Sequence, residues 1–251
     1  DGVGTGESEL INKAVGYVSY VRGENPYNFP FKVFPHDYNS KSSIKNFTYP
    51  STQHNGETIK SPINFLDLYV NELRDFQKSG YESFKMRVAA KYPSITKRNN
   101  SGYKELRESL YSLNICYPNP GKDGEYLTGK QGLASVVMKK DNNKFEYINN
   151  KIRFFDINTI GDYSRKIETI LETVQQSDGI ILIYSQYLDS GLIPIALALE
   201  ELGMNRIERE NNLFSPGSIK NKSIGGKNIG QAKYAMITGD IKYSPNNNKE
   251  L

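Results

Sequence analysis

The 251-residue chain has one cysteine, two histidines and no tryptophan. The single cysteine, Cys116, excludes an internal disulfide and fits a reducing compartment. His36 and His54 lie in polar, loop-like stretches with no second His or Cys nearby, which excludes a zinc site built from those residues. A Ser-His-Asp relay would have to use one of the two, and both read as surface loop residues. Long apolar runs are missing as well. None approaches the roughly 20 residues that cross a bilayer, and no basic-then-apolar leader opens the chain. These absences predict a soluble, intracellular protein without a membrane partner. The net charge of +4 mildly favours an anionic partner.

Two glycine-rich stretches imitate a phosphate loop and fail. Asp1 to Ser8, DGVGTGES, has Glu7 where the lysine belongs, Asp1 in place of the first glycine, and no strand before it. Gly124 to Lys130, GEYLTGK, has the spacing, but Gln131 replaces the hydroxyl that would hold magnesium. Turn formers, PNPGKD, stand where a buried strand is needed.

The first half reads as short elements. A helix is expected over Glu9–Val15, a strand over Tyr17–Val21, and an edge strand over Phe29–Phe34 bounded by Pro30 and Pro35. Asp37–Lys60 reads as an exposed loop or small hairpin. Ser61, Pro62 and the stripe Leu66, Tyr69, Val70, Leu73, Phe76 predict a helix stopped by Gly80, with a second short helix over Tyr81–Ala90. Lys104–Leu110 reads as helix, Leu113–Tyr117 as a short strand, and Phe145–Phe155 as strands around an Asn149-Asn150 turn.

From Asp162 the pattern sharpens. Asp162 or Ser164 caps a helix whose Ile167, Ile170, Leu171 and Val174 recur at helical spacing. Gly179 then opens Ile180–Tyr184, IILIY, the length and composition of a strand buried on both faces. A second helix follows over Leu192–Leu202, capped by Asp189, Ser190 or Gly191, with Pro194 in its first turn and Gly203 as its stop. Arg206–Gln231 is a polar loop or a basic tether, and Tyr234–Thr238 reads as a second buried strand ending in Thr238-Gly239-Asp240. Helix, strand, helix, loop, strand is the first part of a doubly wound α/β domain, so the chain is expected to be cut at both ends. Ligands bind such sheets beyond the strands' carboxyl ends, here at Ser185-Gln186.

A helix starting with Ser164 and Lys166, then GIILIYSQ, a helix and YAMITGD resembles the opening of the second RecA-like lobe of superfamily 2 helicases and translocases. The wording IYSQYLDSGLIPIALALEELG, with YVSYVRGENPYNFP upstream and ITGD-x-x-x-SPNN downstream, resembles the helicase-like NTPases of large cytoplasmic DNA viruses. These are relatives of the poxvirus early transcription factor small subunit. The likeness covers Asp162–Gly203 and Tyr234–Asn246 most closely, then Ala14–Pro30. It implies an incomplete RecA-like doubly wound parallel sheet over 151–251, an inter-lobe segment with short strands over 1–60, and a mainly helical insertion over 61–150.

The same likeness implies an ATP-dependent motor on DNA or RNA in viral transcription, located in the host cytoplasm or virion. Backbone contacts to nucleic acid carry over to Ser185, Gln186 and Tyr187, and more loosely to Thr238, Gly239 and Asp240. Hydroxyls and N–H groups at strand ends suit phosphate oxygens without reading bases. The phosphate-loop lysine, magnesium-binding acids and arginine fingers of such motors have no counterpart here. ATP and Mg are therefore implied for a longer parent, and this chain alone is expected not to hydrolyse ATP. Implied partners are the nucleic-acid backbone, the first lobe, the rest of the second lobe and viral transcription machinery. Two other readings stay open: a non-catalytic nucleic-acid-binding or scaffolding module, and an α/β enzyme on a small phosphorylated substrate, which lacks a general base.

Overall fold

A computed structural model describes residues 33–52, 57–61, 67–91, 103–207, 211–219, 232–240 and 242–244. The chain divides into two units, Asp1–Thr48 with Asn64–Tyr69, and Tyr49–Ile63 with Val70–Leu251. The helix and strand expected over Glu9–Val15 and Tyr17–Val21 lie outside the described residues.

In the first unit Pro35 opens a one-turn helix, α1 (Pro35–Tyr38), at the position where its missing N–H costs least. Two 3-10 turns follow, Ser40–Ser42 and Ile44–Asn46, the second capped by Ser43 accepting from the Lys45 N–H. Ser43 also bridges Tyr69 in extended register.

The second unit opens with an isolated Thr52–Thr58 bridge, within the stretch 37–60 expected as an exposed loop or small hairpin. Its first helix, α2, runs Asp75–Lys91. The helix expected to stop at Gly80 instead begins at Asp75 and passes through Gly80, while residues 67–74 are not helical. Gly80 permits close approach rather than termination: a Cβ there would lie 2.2 Å from Cys116 Sγ and 3.1 Å from Tyr126 Cδ1. Helix α3 (Tyr103–Asn114) packs against α2, and it consumes the start of the strand expected over 113–117. What remains is β1 (Tyr117–Pro118), antiparallel to β2 (Tyr126–Leu127).

Helix α4 (Gly129–Val136) leads into a hairpin of β3 (Val137–Lys139) and β4 (Phe145–Tyr147). Its turn uses Asn142 and Asn143, both left-handed at φ 56° and 59°. The turn expected at Asn149-Asn150 is present, with the Ile152 N–H donating to the Asn149 carbonyl at 3.1 Å, but no strand follows it; the hairpin closes instead at the earlier asparagine pair, which supplies the positive φ that tight hairpins need. Phe154 and Phe155 enter the core as a bend, not a strand.

Helix α5 (Ile157–Tyr163) is capped by Asp156. Helix α6 (Arg165–Gln176) is capped as expected by Ser164, whose Oγ accepts from the Ile167 N–H at 3.1 Å. Helix α7 (Ile193–Leu202) ends, also as expected, at Gly203 with φ 112°. Its start differs from expectation. No side chain caps it, because a wide π-type turn over Leu188–Leu192 feeds directly into it.

The strand expected over 180–184 is the main correction. The segment has no regular structure and belongs to no ladder, and Ile180, Leu182 and Tyr184 are 103%, 92% and 86% exposed. The second strand shrinks to β6 (Lys233–Tyr234), which pairs in parallel with β5 (Asn205–Arg206). A strand in a parallel sheet is buried only when neighbours flank it. Among the described residues no strand flanks 180–184. The architecture is mixed α/β, with three two-stranded sheets, two antiparallel and one parallel, among the described residues. No described helix is long and apolar enough to cross a membrane.

The core of the second unit gathers on α7, with Ile193, Leu197 and Leu202 against Ile115, Tyr117, Phe154, Phe155 and Leu171. Leu213 and Phe214, inside the polar stretch read as loop or tether, are buried in this core, and Phe214 bridges Phe145.

Helix propensity alone makes Gly80→Ala stabilising by about 1 kcal/mol. The contact with Cys116 reverses that sign. Gly80→Ala is expected to cost about 1–3 kcal/mol in urea unfolding, and adding Cys116→Ala to return most of it. A stabilised single variant would refute the close approach.

Candidate nucleic-acid interface

Two irregular segments, 179–184 and 235–237, deliver the two loops singled out in the sequence. Ser185 closes a tight turn: its hydroxyl accepts from the Tyr187 N–H at 3.1 Å and lies 3.2 Å from the Tyr187 carbonyl, to which it donates. Gly191 makes room for it, since a Cβ there would lie 2.3 Å from Ser185 Oγ. Tyr187 sets its ring edge-on against Tyr111 at 5.0 Å. Its carbonyl also accepts from the Leu192 N–H at 2.9 Å, closing the wide turn into α7. Gln186 remains exposed at the tip.

The second loop is built the same way. Thr238 Oγ1 accepts from the Asp240 N–H at 3.2 Å and donates to the Asp240 carbonyl at 3.1 Å. Asp240 Oδ1 accepts from the Lys242 N–H at 2.9 Å, bending the chain back. Ser244 is then buried beside the segment it left. Its hydroxyl donates to the Met236 carbonyl at 2.6 Å and accepts from the Thr238 N–H at 2.9 Å. Gly239 stands at the tip with open space where a Cβ would be.

The segments leading into the two loops line one groove. Burial raises the Tyr243 phenol's pKa, and the nearby carboxylates of Asp189 and Asp240 raise it further. One buried ring therefore senses Asp240 of the second loop and Asp189, two residues past the first. Lys139 lies over that ring, its Nζ 5.1 Å from the centroid and 3.3 Å from the hydroxyl. The six sequence-derived residues, Ser185, Gln186, Tyr187, Thr238, Gly239 and Asp240, belong to two separate turns. The hydroxyls of Ser185 and Thr238 shape those turns, and Gln186 and Gly239 are exposed on them. Sequence reasoning missed Tyr243 and Lys139, while Ser244 entered only as part of the ITGD-x-x-x-SPNN wording. The polar string after Asp240 carried no periodic signal for Tyr243.

A groove of about 970 Å³ separates the two segments. Ile195, Ala196 and Leu199 of α7 contribute to its lining, along with Ile181, Ile183 and Ile237. The other chemistry-bearing stretches form no site. Gly124–Lys130 holds strand β2 inside the motif itself, so its backbone cannot wrap a phosphate. Cys116 is buried, and burial pushes its thiol up to about 12. No metal-binding cluster of three or more His, Cys, Asp or Glu occurs among the described residues.

In the first unit His36 Nδ1 lies 2.5 Å from Asp67 Oδ2, and Ser43 Oγ donates to Asp67 Oδ1 at 2.7 Å. The serine bonds the carboxylate rather than the imidazole, so the trio cannot relay a proton from Ser to His. Its role is to tie Asp67 onto the turns. Burial works to raise the Asp67 pKa, yet the bonds from His36 and Ser43, with Lys45 nearby, leave it lowered.

A lowered carboxyl pKa stabilises the folded state above the ordinary value of 3.8, and the gain is lost as pH falls through the lower folded value. Carbon NMR of the Asp67 carboxyl should titrate below 3.8, and His36→Ala should move it upward. An Asp67 midpoint at or above 3.8 in the unaltered chain would refute the arrangement. Compared with known proteins, the chain matches no family model, no curated protein and no solved structure.

Proposed function

We propose that the chain is part of an ATP-dependent nucleic-acid helicase or translocase. In this reading it supplies backbone contacts from the start of an incomplete RecA-like second lobe. The observation that carries the proposal is that the segments leading into the 185–187 and 238–240 turns line one groove. In this reading they are strands of an open α/β sheet completed in the longer parent, and such sheets bind ligands beyond the strands' carboxyl ends. The likeness to viral helicase-like NTPases supplies the ligand class.

Within this reading the Gln186 amide and the Gly239 N–H donate to phosphate oxygens, and Ser185 and Thr238 fix the two turns that aim them. Neutral donors of this kind set register along a strand without selecting sequence. ATP and Mg belong to the longer parent, whose other lobe and remaining strands are the partners, and the setting is viral transcription. The residues named here make no phosphate loop, so hydrolysis is assigned to that parent.

Fluorescence anisotropy on a labelled single-stranded 20-mer tests the reading. Binding should weaken steeply with salt. Gln186→Lys places one new charge at the contact and should steepen the log–log salt slope by about 0.7. The same charge at exposed Met86 on α2 should leave the slope unchanged. Gln186→Glu should weaken binding alike on different sequences. Absence of binding at 50 mM salt, or equal slopes for the two lysine variants, would sink it.

A further inference from the structure

Polar contacts, not apolar burial, hold the described part of the first unit together. Its large apolar side chains, Val33, Phe34, Tyr38, Phe47 and Leu68, are 46–54% exposed, and none of its described residues enters the hydrophobic core. The segments 34–46 and 67–69, far apart in sequence, are joined around one buried carboxylate. Asp67 accepts from the His36 backbone N–H at 3.2 Å and from the Ser43 hydroxyl at 2.7 Å, and it faces His36 Nδ1 at 2.5 Å. Beside it the Ile44 N–H donates to the Leu68 carbonyl at 2.9 Å, and the Asn39 amide donates to the Tyr69 hydroxyl at 3.2 Å.

One part of this join changes charge near neutral pH. Histidine is the side chain that ordinarily titrates between about pH 5 and 8, and the chain has two, His36 and His54. Asp67 keeps its charge throughout that window. Burial works to raise its pKa, but the bonds from His36 and Ser43 leave it below 3.8.

Both nitrogens of the His36 ring face carboxylates: Nδ1 lies against Asp67, and Nε2 lies 3.2 Å from Asp37 Oδ1. Two acceptors do not approach to 2.5 Å, so a proton lies between Nδ1 and Asp67. A neutral imidazole has then used its one N–H and turns a lone pair towards Asp37. The imidazolium donates to both. Lys45 opposes this, with its Nζ 3.1 Å from Nδ1. Two carboxylates and one ammonium thus face the ring among the described residues, and an imidazolium brings the cluster to neutrality. Phe34 stacks on the ring, centroids 5.8 Å apart, and holds it in this orientation.

We propose that His36 is a proton-operated clasp of the first unit: protonation of its ring fastens the turns over 35–46 to the 67–69 segment, and loss of that proton loosens them. The charged ring is the state that satisfies both carboxylates, so the join is tightest at low pH. It weakens as pH rises through the titration of the ring. The clasp involves neither nucleic acid nor the second unit.

Hydrogen exchange at the Ile44 amide, followed by NMR on the full chain, reads the clasp. After correction for base catalysis, protection should fall about fivefold between about pH 5 and 8, the effect of one partly exposed ion pair. His36→Gln keeps a side-chain donor but does not titrate, and it should flatten the fall. Asp37→Asn leaves the Asp67 join in place and should at least halve it, while His54→Gln should leave it intact. Constant or rising protection in the unaltered chain would overturn the clasp, with no variant needed. So would a fall that survives His36→Gln, is unchanged in Asp37→Asn, or disappears in His54→Gln.

Discussion

Two adjacent carboxylates at the end of α7, both wholly buried, set the terms for the second unit. A buried carboxylate without donors is too costly to keep, so each one dictates what surrounds it. Glu200 accepts from the N–H groups of Leu213 and Phe214 at 2.5 and 2.8 Å, and from the Tyr234 hydroxyl at 2.5 Å. That single side chain fastens a stretch of polar loop and strand β6 to the central helix. Glu201 accepts from the Tyr147 hydroxyl at 2.6 Å and from Arg153 Nε at 3.0 Å. Tyr147 in turn accepts from the Phe155 N–H at 3.1 Å, so the hairpin and the aromatic bend are tied to the same helix. Burial first, and the Glu201 charge second, hold the Tyr147 phenol protonated far beyond its ordinary range.

This explains why α7 was legible in the sequence as a helix but not as a centre. Helical spacing, Pro194 near the start and Gly203 at the end are local signals, and the structure honours the last two at the expected residues. The burial of Glu200 and Glu201 depends on donors 13 and 34 residues away from Glu200, and up to 54 away from Glu201. No periodic pattern encodes that. The same division separates Ser164, a cap that reaches only three residues, from Gly80, whose meaning comes from Cys116 and Tyr126 on other elements. Read locally, Gly80 is a stop; read in three dimensions, it is a gap filled by its neighbours.

The apolar run 180–184 shows the limit from the other side. Its composition reads as a strand buried on both faces, and the structure leaves it outside every ladder and largely exposed. Composition cannot name the strands that must lie beside it. Exposure alternates along it, highest at Ile180, Leu182 and Tyr184, as a period-two segment with one uncovered face must. The candidate turns were legible in position for a similar reason: small polar residues after an apolar run end a segment and start a turn. Which atoms face outward was not. The hydroxyls of Ser185 and Thr238 close their own turns, as short hydroxyl side chains do wherever a neighbouring N–H is in reach.

The electrostatics around Tyr243 constrain any phosphate placed on these turns. Asp189 and Asp240 supply negative charge near Tyr243, Lys242 lies close enough to oppose them, and Lys139 sits over the ring. A surface of mixed sign gives little net attraction to a polyanion, because opposed charges cancel over a distance comparable to the Debye length of about 8–10 Å. Donation from an uncharged amide and a backbone N–H then positions a strand more than it retains one. In the proposed reading, retention comes from cations elsewhere along the nucleic acid's path. Contacts that orient without holding are the ones a translocating motor of the proposed kind could remake at every step.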